Sequence, residues 1–489
     1  MGRLEHFSAA AEDLGNVLRY ISFATVVPVF VSVYYQEWDM VAPMLTVPLL
    51  LFLIGTVFIT IPKGDKEPQL SHALCSVACI WIICAAVSAV PFTLGIDMPY
   101  LDAVFEAMSG WTDTGISMID DVDAVPYTIL FWRSLMEWLG GLGIVAFTVV
   151  MLSRTSLNPS RFYRSEGRSE AFVPSATRQG IEMWKIYLVL TAASILLILL
   201  SGIPVWDAVN IALTAISTGG FTVHSAGLAY YDNPILEMLI IPVMIAGALP
   251  FKIYYLMYYK RKVSLFRDEE SILLFTLLLL GFMIILFDLL FLSRMDIYDS
   301  VRYSIFMAVS GITSTGFQTT SPGLWAPVTI LVLGVLMFIG GSSGSTAGGI
   351  KLSRASIAYS GIVWWLKRSF KSQNVIIPFR IGNKTISKND AELEISKHML
   401  IIFLYIFVIF ISAILIMHFE PMASDSSDVL FDVISATCNN GMVTGIINNE
   451  LTPLSKIVLI LAMWIGRLEI IPVIVFFMSI FKEVDGLRK

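Results

Sequence analysis

Four stretches align without gaps: VFEAMSGWTDTGI from Val104 to Ile116, VNIALTAISTGGF from Val209 to Phe221, IFMAVSGITSTGF from Ile305 to Phe317, and LFDVISATCNNGM from Leu430 to Met442. Stacked, they place Ser109, Thr214, Ser310 and Ser435 in one column and Gly110, Ala215, Gly311 and Ala436 in the next. Gly115, Gly220, Gly316 and Gly441 fill another. Asp102, Asp207 and Asp428 also fall together just upstream, with Asp299 slightly earlier in the third copy. A unit repeated at this length is the mark of a repeat architecture. Each copy has the same surroundings: an apolar span, a short half-apolar stretch, the Thr/Ser/Gly segment, a polar link and a second apolar span.

The rest of the chain says what solvent this unit lives in. Of 489 residues, 56% are hydrophobic and only 14% charged, with a mean hydropathy of +0.77. Soluble domains carry about a quarter charged residues, so the chain belongs in a bilayer. The apolar residues form blocks such as Leu45 to Ile61, Leu74 to Thr93, Tyr187 to Leu200, Ser271 to Leu292 and Met399 to Met417. Such blocks suit about 30 Å of hydrocarbon, and about ten are expected. The polar start, with Glu5, Glu12 and Asp13, makes the first block an anchor rather than a cleaved signal peptide.

In each repeat the half-apolar stretch of about ten residues is too short to cross, so it enters and leaves on one side. Loop backbone cannot face lipid, so the Thr/Ser/Gly segments are buried in protein or line a water-filled cavity. The order is then outer helix, pore helix, filter loop and inner helix, and four such loops can surround one axis. The chemistry fits a cation pore. A potassium ion must exchange its water for neutral oxygens held in a ring, which backbone carbonyls provide. Glycine reaches the positive φ that turns successive carbonyls toward one axis. Pore helices aim their partly negative ends at the cavity, and aspartates suit their starts. The alternative is that the small residues only permit close helix packing.

Basic residues mark the cytoplasmic ends: Arg154, Arg161, Arg164, Arg168, Arg178 and Lys185, then Lys260, Arg261, Lys262 and Arg267, then Lys351 through Lys397, then Lys482, Arg488 and Lys489. The N-terminus is expected in the cytoplasm of a multi-pass protein of the cell membrane. The opposite connections carry Glu37, Asp39, Asp97, Asp120, Asp121, Asp123, Asp232, Glu420, Asp425 and Asp428. These acids either concentrate cations at the mouth or are solvated loop residues. The basic loops could dock a cytosolic regulator, bind anionic membrane lipid, or simply set orientation. Cys75, Cys79, Cys84 and Cys438, and the scattered His6, His72, His224, His398 and His418, show no metal or disulfide spacing. No paired carboxylates, Ser/Lys or Ser/His pair stands within the spans, which argues against an enzyme.

Two further features stand out. GGSSGSTAGGIK, from Gly340 to Lys351, interrupts the third inner helix with helix breakers that persist only where buried or facing water. It is a gate or a kink. Its Gly344-to-Lys351 stretch misses the phosphate-loop spacing and follows no βαβ pattern, so nucleotide binding is not expected there. Arg467 lies inside the last inner helix, where an arginine costs roughly 2.5 to 3.5 kcal/mol on insertion scales. It should face the pore or a carboxylate, or belong to a buried ion pair. Glu469 is close in sequence, but i to i+2 spacing points it elsewhere. Lys252 is expected to snorkel.

At TDTGI, STGGF, TSTGF and CNNGM the sequence resembles the TrkH/KtrB superfamily of potassium transporters, most closely its TrkH branch. RSLMEWLGGLGIVAF from Arg133 is similar to that family's first inner helix, and two extra apolar spans, about Val17 to Val33 and Met44 to Ile61, match its plan. The resemblance implies an all-α integral membrane protein: four pseudo-symmetric helix–pore loop–helix repeats around one pore, plus two N-terminal transmembrane helices. The expected organisation is 1–66 for the N-terminal pair, 67–160 for unit 1, 161–265 for unit 2, 266–372 for unit 3 with its broken inner helix, and 373–489 for unit 4.

It implies a selectivity filter of Thr112, Asp113, Thr114 and Gly115; Ser217, Thr218, Gly219 and Gly220; Thr313, Ser314, Thr315 and Gly316; and Cys438, Asn439, Asn440 and Gly441. Potassium is the transported ion at those residues, and no covalent cofactor is expected. It implies a gate of Gly340, Gly341, Gly344, Gly348, Gly349 and Arg467, the arginine opposing tight cation trapping. It also implies a homodimer with one pore per protomer and a TrkA-type cytosolic nucleotide-binding ring, with no nucleic-acid partner. In related plant transporters a serine at the first of these glycine positions goes with sodium selectivity, so glycine in all four favours potassium, with rubidium expected to pass beside it. Asp113, Asn439 and Asn440 depart from a potassium filter, and no copy reads TVGYG. The alternative is a sodium-permeable or ion-coupled symporter on the same scaffold.

Overall fold

In the computed structural model the apolar blocks and repeats form a single helical assembly, described for residues 2–61, 70–152, 176–261, 265, 268–371, 377–381, 384–420 and 425–478. The basic residues Arg154, Arg161, Arg164, Arg168, Lys262, Arg267, Lys482, Arg488 and Lys489 lie outside the described residues.

Each repeat builds the expected order. In the first, the outer helix Leu70–Ser88 leads through Val90–Ile96 to the pore helix Tyr100–Trp111, and the inner helix is Tyr127–Leu152. In the second the three are Ala176–Leu199, Val205–Ser217 and a bent pair, Pro234–Ala248 with Phe251–Lys260. The third has Glu269–Phe291, Ile297–Ile312 and an inner helix split into Pro327–Ile339 and Leu352–Ser369. The fourth has Lys388–Phe419, Ser426–Thr437 and the bent pair Pro453–Arg467 with Ile471–Met478. A short hairpin, Phe379–Ile381 with Lys384–Ile386, precedes the fourth outer helix.

Among the described residues six spans, two of them ahead of the repeats, are by themselves long and apolar enough to cross a membrane, and the two bent pairs bring the number to eight. The first inner helix, 26 residues and about 39 Å long, and the split third one complete the set of about ten. Two spans precede the repeats, Leu14–Tyr34 and Trp38–Thr60. They pack on unit 1, where the Glu37 carboxylate accepts hydrogen bonds from the Tyr127 and Thr128 N–H groups at 2.8 and 2.9 Å and so caps the first inner helix.

The units close into a ring. Every pore helix packs against its own outer and inner helices, and every inner helix also packs on the pore helix of the next unit, the fourth returning to the first. Small residues make this possible. A Cβ at Gly140, Gly247 or Gly466 would run into the last-turn carbonyl of its own unit's pore helix, at Trp111, Ile216 or Thr437. Ion pairs tie unit to unit. Arg302 of the third pore helix meets Glu237 at 2.8 Å, and Lys456 of the fourth inner helix meets Asp102 at 2.5 Å.

The expected helix-start acids are in place. Asp102, Asp207, Asp299 and Asp428 lie in the first turns of the four pore helices, where an anion complements the helix dipole. Asp299 falls early because the third pore helix is longer, 16 residues against 12 or 13 for the others. One expectation needs widening. The sequence marked only the third inner helix as broken, but the second bends by 91° and the fourth by 112°. Pro250 follows the second break, whereas the fourth turns on Glu469 and Ile470, at φ +59° and +66°.

Candidate ion pathway and its lower barrier

The pore helices end in one backbone motif used four times. The N–H of Thr114, Gly219, Thr315 and Asn440 donates to the carbonyl of Ser109, Thr214, Ser310 and Ser435 at 2.8, 2.9, 3.0 and 2.9 Å. The residue before each donor, Asp113, Thr218, Ser314 or Asn439, has φ between +51° and +65° and donates to the carbonyl three residues back. This is the Schellman ending of a helix, usually built with glycine at the left-handed position. Asp and Asn tolerate that conformation, whereas for β-branched Thr218 it costs on the order of 1–3 kcal/mol. Two residues on, Gly115, Gly220, Gly316 and Gly441 are again at positive φ, from +78° to +107°. The hydroxyl column aligned from sequence is thus the column whose carbonyls cap the helix.

The glycine column has a second reason. A Cβ at Gly115 would collide with the Gly219 carbonyl, at Gly220 with that of Thr315, at Gly316 with that of Asn440, and at Gly441 with that of Thr114. Each loop's glycine therefore abuts a backbone oxygen of the next loop, and the series closes on itself. Of the sixteen positions expected from sequence, Ser217 closes the last turn of its pore helix and the other fifteen lie in these four loops, which meet as one ring.

Side chains hold the ring from behind. In units 1 and 3, Thr112 and Thr313 donate back to the carbonyls of Met108 and Val309, both at 2.7 Å, and pair with Thr114 and Thr315. Asn439 donates its amide to Thr114 Oγ1 and to the Met463 carbonyl, both at 2.9 Å, and Asn440 donates to the Gly311 carbonyl at 3.0 Å. The two unusual asparagines are staples from the fourth loop to its neighbours. Within the pore helices, Glu106 accepts from Ser117 Oγ and the Met118 N–H, and Asp432, in the same alignment column, accepts from the N–H groups of Thr444 and Ile447. Arg133 pairs with Glu106 at 2.7 Å and reaches the Thr222 carbonyl at 2.9 Å. The sequence reading missed this acid column, which a comparison of copies 1 and 4 could have found. It also missed that buried Asp113 and Glu137 come together, both crowding the open side of Gly219. Glu137 accepts from the Phe221 N–H at 3.1 Å.

Directly beneath lies the Gly340–Lys351 loop. Its Gly349 N–H donates to the Cys438 carbonyl at 2.9 Å, and Thr346 Oγ1 stands 3.2 Å from both Thr218 Oγ1 and the Ile216 carbonyl. The loop of unit 3 thus touches the pore-helix ends of units 4 and 2. Arg467 supplies the remaining side: its guanidinium donates to the Thr346 carbonyl at 3.1 Å and to the Gly140 and Gly141 carbonyls at 2.7 and 3.1 Å, and stands 3.8 Å from Asp113 Oδ2. The sequence expected Arg467 to face the pore or a carboxylate, and it meets carbonyls of two units and Asp113 together. Beside it, Trp81, Gly141, Gly348, Asn439 and Arg467 line a cavity of about 50 Å³, room for a few waters. Glu469 turns away to the buried Arg354. Gly340, Gly344 and Gly349 take positive φ, and Gly341 and Gly348 sit where a Cβ would strike Ala347 and the Cys438 carbonyl.

On the opposite face several acids are already engaged. Asp123 receives His224 and the Ser225 N–H, Asp207 receives Tyr231 at 2.8 Å, Asp232 pairs with Arg302, and Glu420 accepts from the Thr452 N–H. The hydrogen bond from His224 holds the Asp123 carboxyl below the usual carboxylate range.

A family of membrane proteins shares this plan. The sequence model of the TrkH family, described as cation transport protein, matches residues 49–483. The chain belongs to the TrkH family. It is 33% identical to an uncharacterized cation transporter of Methanocaldococcus jannaschii, over 97% of this chain and 96% of that one. It is 26% identical to the Trk system potassium uptake protein TrkG of Escherichia coli, over 97% and 99%. The crystal structure of the potassium transporter TrkH from Vibrio parahaemolyticus superposes with a TM-score of 0.84 at 23% identity, covering 96% of this chain and 98% of that one, and so shares the fold. As a TrkH-family member the chain is a multi-pass membrane transporter rather than an enzyme.

Proposed function

We propose that this chain takes up potassium, and rubidium with it, through the ring of four filter loops, and that the Gly340–Lys351 loop and Arg467 form its gate. The observation that carries this is the closed series of glycine-to-carbonyl contacts, which brings four backbone oxygens from four units to one level. Neutral oxygens in a ring can replace the water a potassium ion sheds. The staples on Asn439 and Asn440 fix the ring's width, and the pore-helix ends turn their partial negative charge toward it. Below, the loop and Arg467 span from one side of the ring to the other, and the arginine's fixed positive charge opposes a cation held at that level.

This reading includes a cytoplasmic N-terminus in the cell membrane, a homodimer with one pore per protomer, and a cytosolic nucleotide-binding ring that shifts the loop. The names of the relatives support potassium as the ion. The test is cation movement into proteoliposomes holding the purified protein, with potassium, rubidium, sodium and lithium compared one by one. Potassium and rubidium well ahead of sodium is the expected result. Equal sodium movement would keep the pore and discard the selectivity, and flux that requires a second ion would favour a symporter.

A further inference from the structure

The fourth inner helix breaks at two residues that resist the conformation they adopt. Glu469 and Ile470 stand in succession at φ +59° and +66°, and a β-branched residue in the left-handed region is an outlier that its surroundings must hold in place. Two contacts do so. The Glu469 carboxylate pairs with the Arg354 guanidinium, which is 1% exposed, on the helix that leaves the gate loop. Ile470 packs in a small apolar cluster with Ile350, at the end of that loop, and with Tyr405 and Ile401. Arg354 also donates to the Ile350 carbonyl at 3.0 Å, and Tyr405 donates to the Gly466 carbonyl at 2.8 Å. The break that aims Arg467 at the loop is therefore fastened to the loop's own root.

We infer that Arg354 and Glu469 are positioning residues forming a latch, which keeps the strained break folded and so holds Arg467 and the Gly340–Lys351 loop across the pathway. The inference rests on the reading of that loop as the gate. A strained turn persists only while its restraints do, so opening is a relaxation that the surrounding contacts oppose. Removing one partner of a buried ion pair leaves the other unpaired and weakens the closed arrangement. Because the two residues act through each other, losing both has the effect of losing one, and their substitutions do not add.

The two substitutions therefore share one effect. Glu469→Gln should raise potassium flux in proteoliposomes about tenfold, equivalent to about 1.4 kcal/mol lost from the closed state. Arg354→Gln should raise it by a similar factor, and the double variant no further than either alone. A second readout needs no conduction: the rate at which a water-soluble maleimide labels a Ser345→Cys background, since Ser345 lies buried in the loop. Labelling should quicken to the same extent in all three. If the two factors multiply in the double variant, or neither single variant shifts flux or labelling while the unsubstituted protein conducts, the latch is wrong. If labelling responds as described but no variant carries potassium, the latch stands and the transport reading fails.

Discussion

Residues of the four loops shape backbone or anchor it. Asn439 anchors, with its amide on Thr114 Oγ1 and on the Met463 carbonyl. Asn439→Ala should cost about 1–3 kcal/mol, because buried acceptors lose their donor, and a lowered melting temperature in detergent would register it. Arg467 is the other single residue with a large expected effect. Arg467→Ala removes the hydrogen bonds to Thr346, Gly140 and Gly141 and a positive charge beside Asp113, so potassium flux should rise, read as faster uptake into proteoliposomes. On the outer face, Asp123 makes a small, pH-dependent contribution. Its carboxyl is depressed in the folded protein, so the stabilisation is complete above the unfolded value of about 3.9 and fades as pH falls through the lower folded value. Asp123→Asn should remove that part of the acid limb from a series of melting curves.

At the scale of elements, the repeat was legible because it is written in residue types: a hydroxyl, a small residue and a glycine at fixed spacing, with acids at the helix starts. The Schellman endings were only half legible. The glycine column marks one left-handed position, but the other is filled by Asp113, Thr218, Ser314 and Asn439, which share no residue type and are held by the cap's hydrogen bonds. The broken inner helices show the same contrast. Glycines announce the break at Gly340 and a proline stands at the second, but the fourth bends on Glu469 and Ile470, whose composition predicts a continuing helix. The turn is again a Schellman ending, the Ile470 and Glu469 N–H groups donating to the Ile465 and Gly466 carbonyls, and it is held by Arg354 and Ile350, contacts across many residues of chain that no local pattern carries. Arg467 is marked by its cost in an apolar span, but its hydrogen-bond partners are backbone carbonyls and its nearest carboxylate, Asp113, belongs to another unit, so neither shows in the local sequence.

For the whole molecule, the decisive property is that four units of one chain close on themselves. The seam between the fourth unit and the first carries the buried pair Lys456–Asp102, with Lys456 also donating to the Asn449 carbonyl at 2.7 Å. Lys456→Met should leave Asp102 without its cation at the pore-helix start and destabilise the protein by about 3–5 kcal/mol, seen as a large drop in melting temperature. The closure itself is tested most directly at Gly316, whose missing Cβ leaves room for the Asn440 carbonyl of the neighbouring loop. The measurement is potassium against sodium flux in proteoliposomes for Gly316→Ser beside the unsubstituted protein. The account predicts potassium well ahead of sodium in the latter and loss of that preference in the serine variant, because the displaced carbonyl spoils the ring. An unchanged potassium preference in a folded Gly316→Ser protein would contradict it.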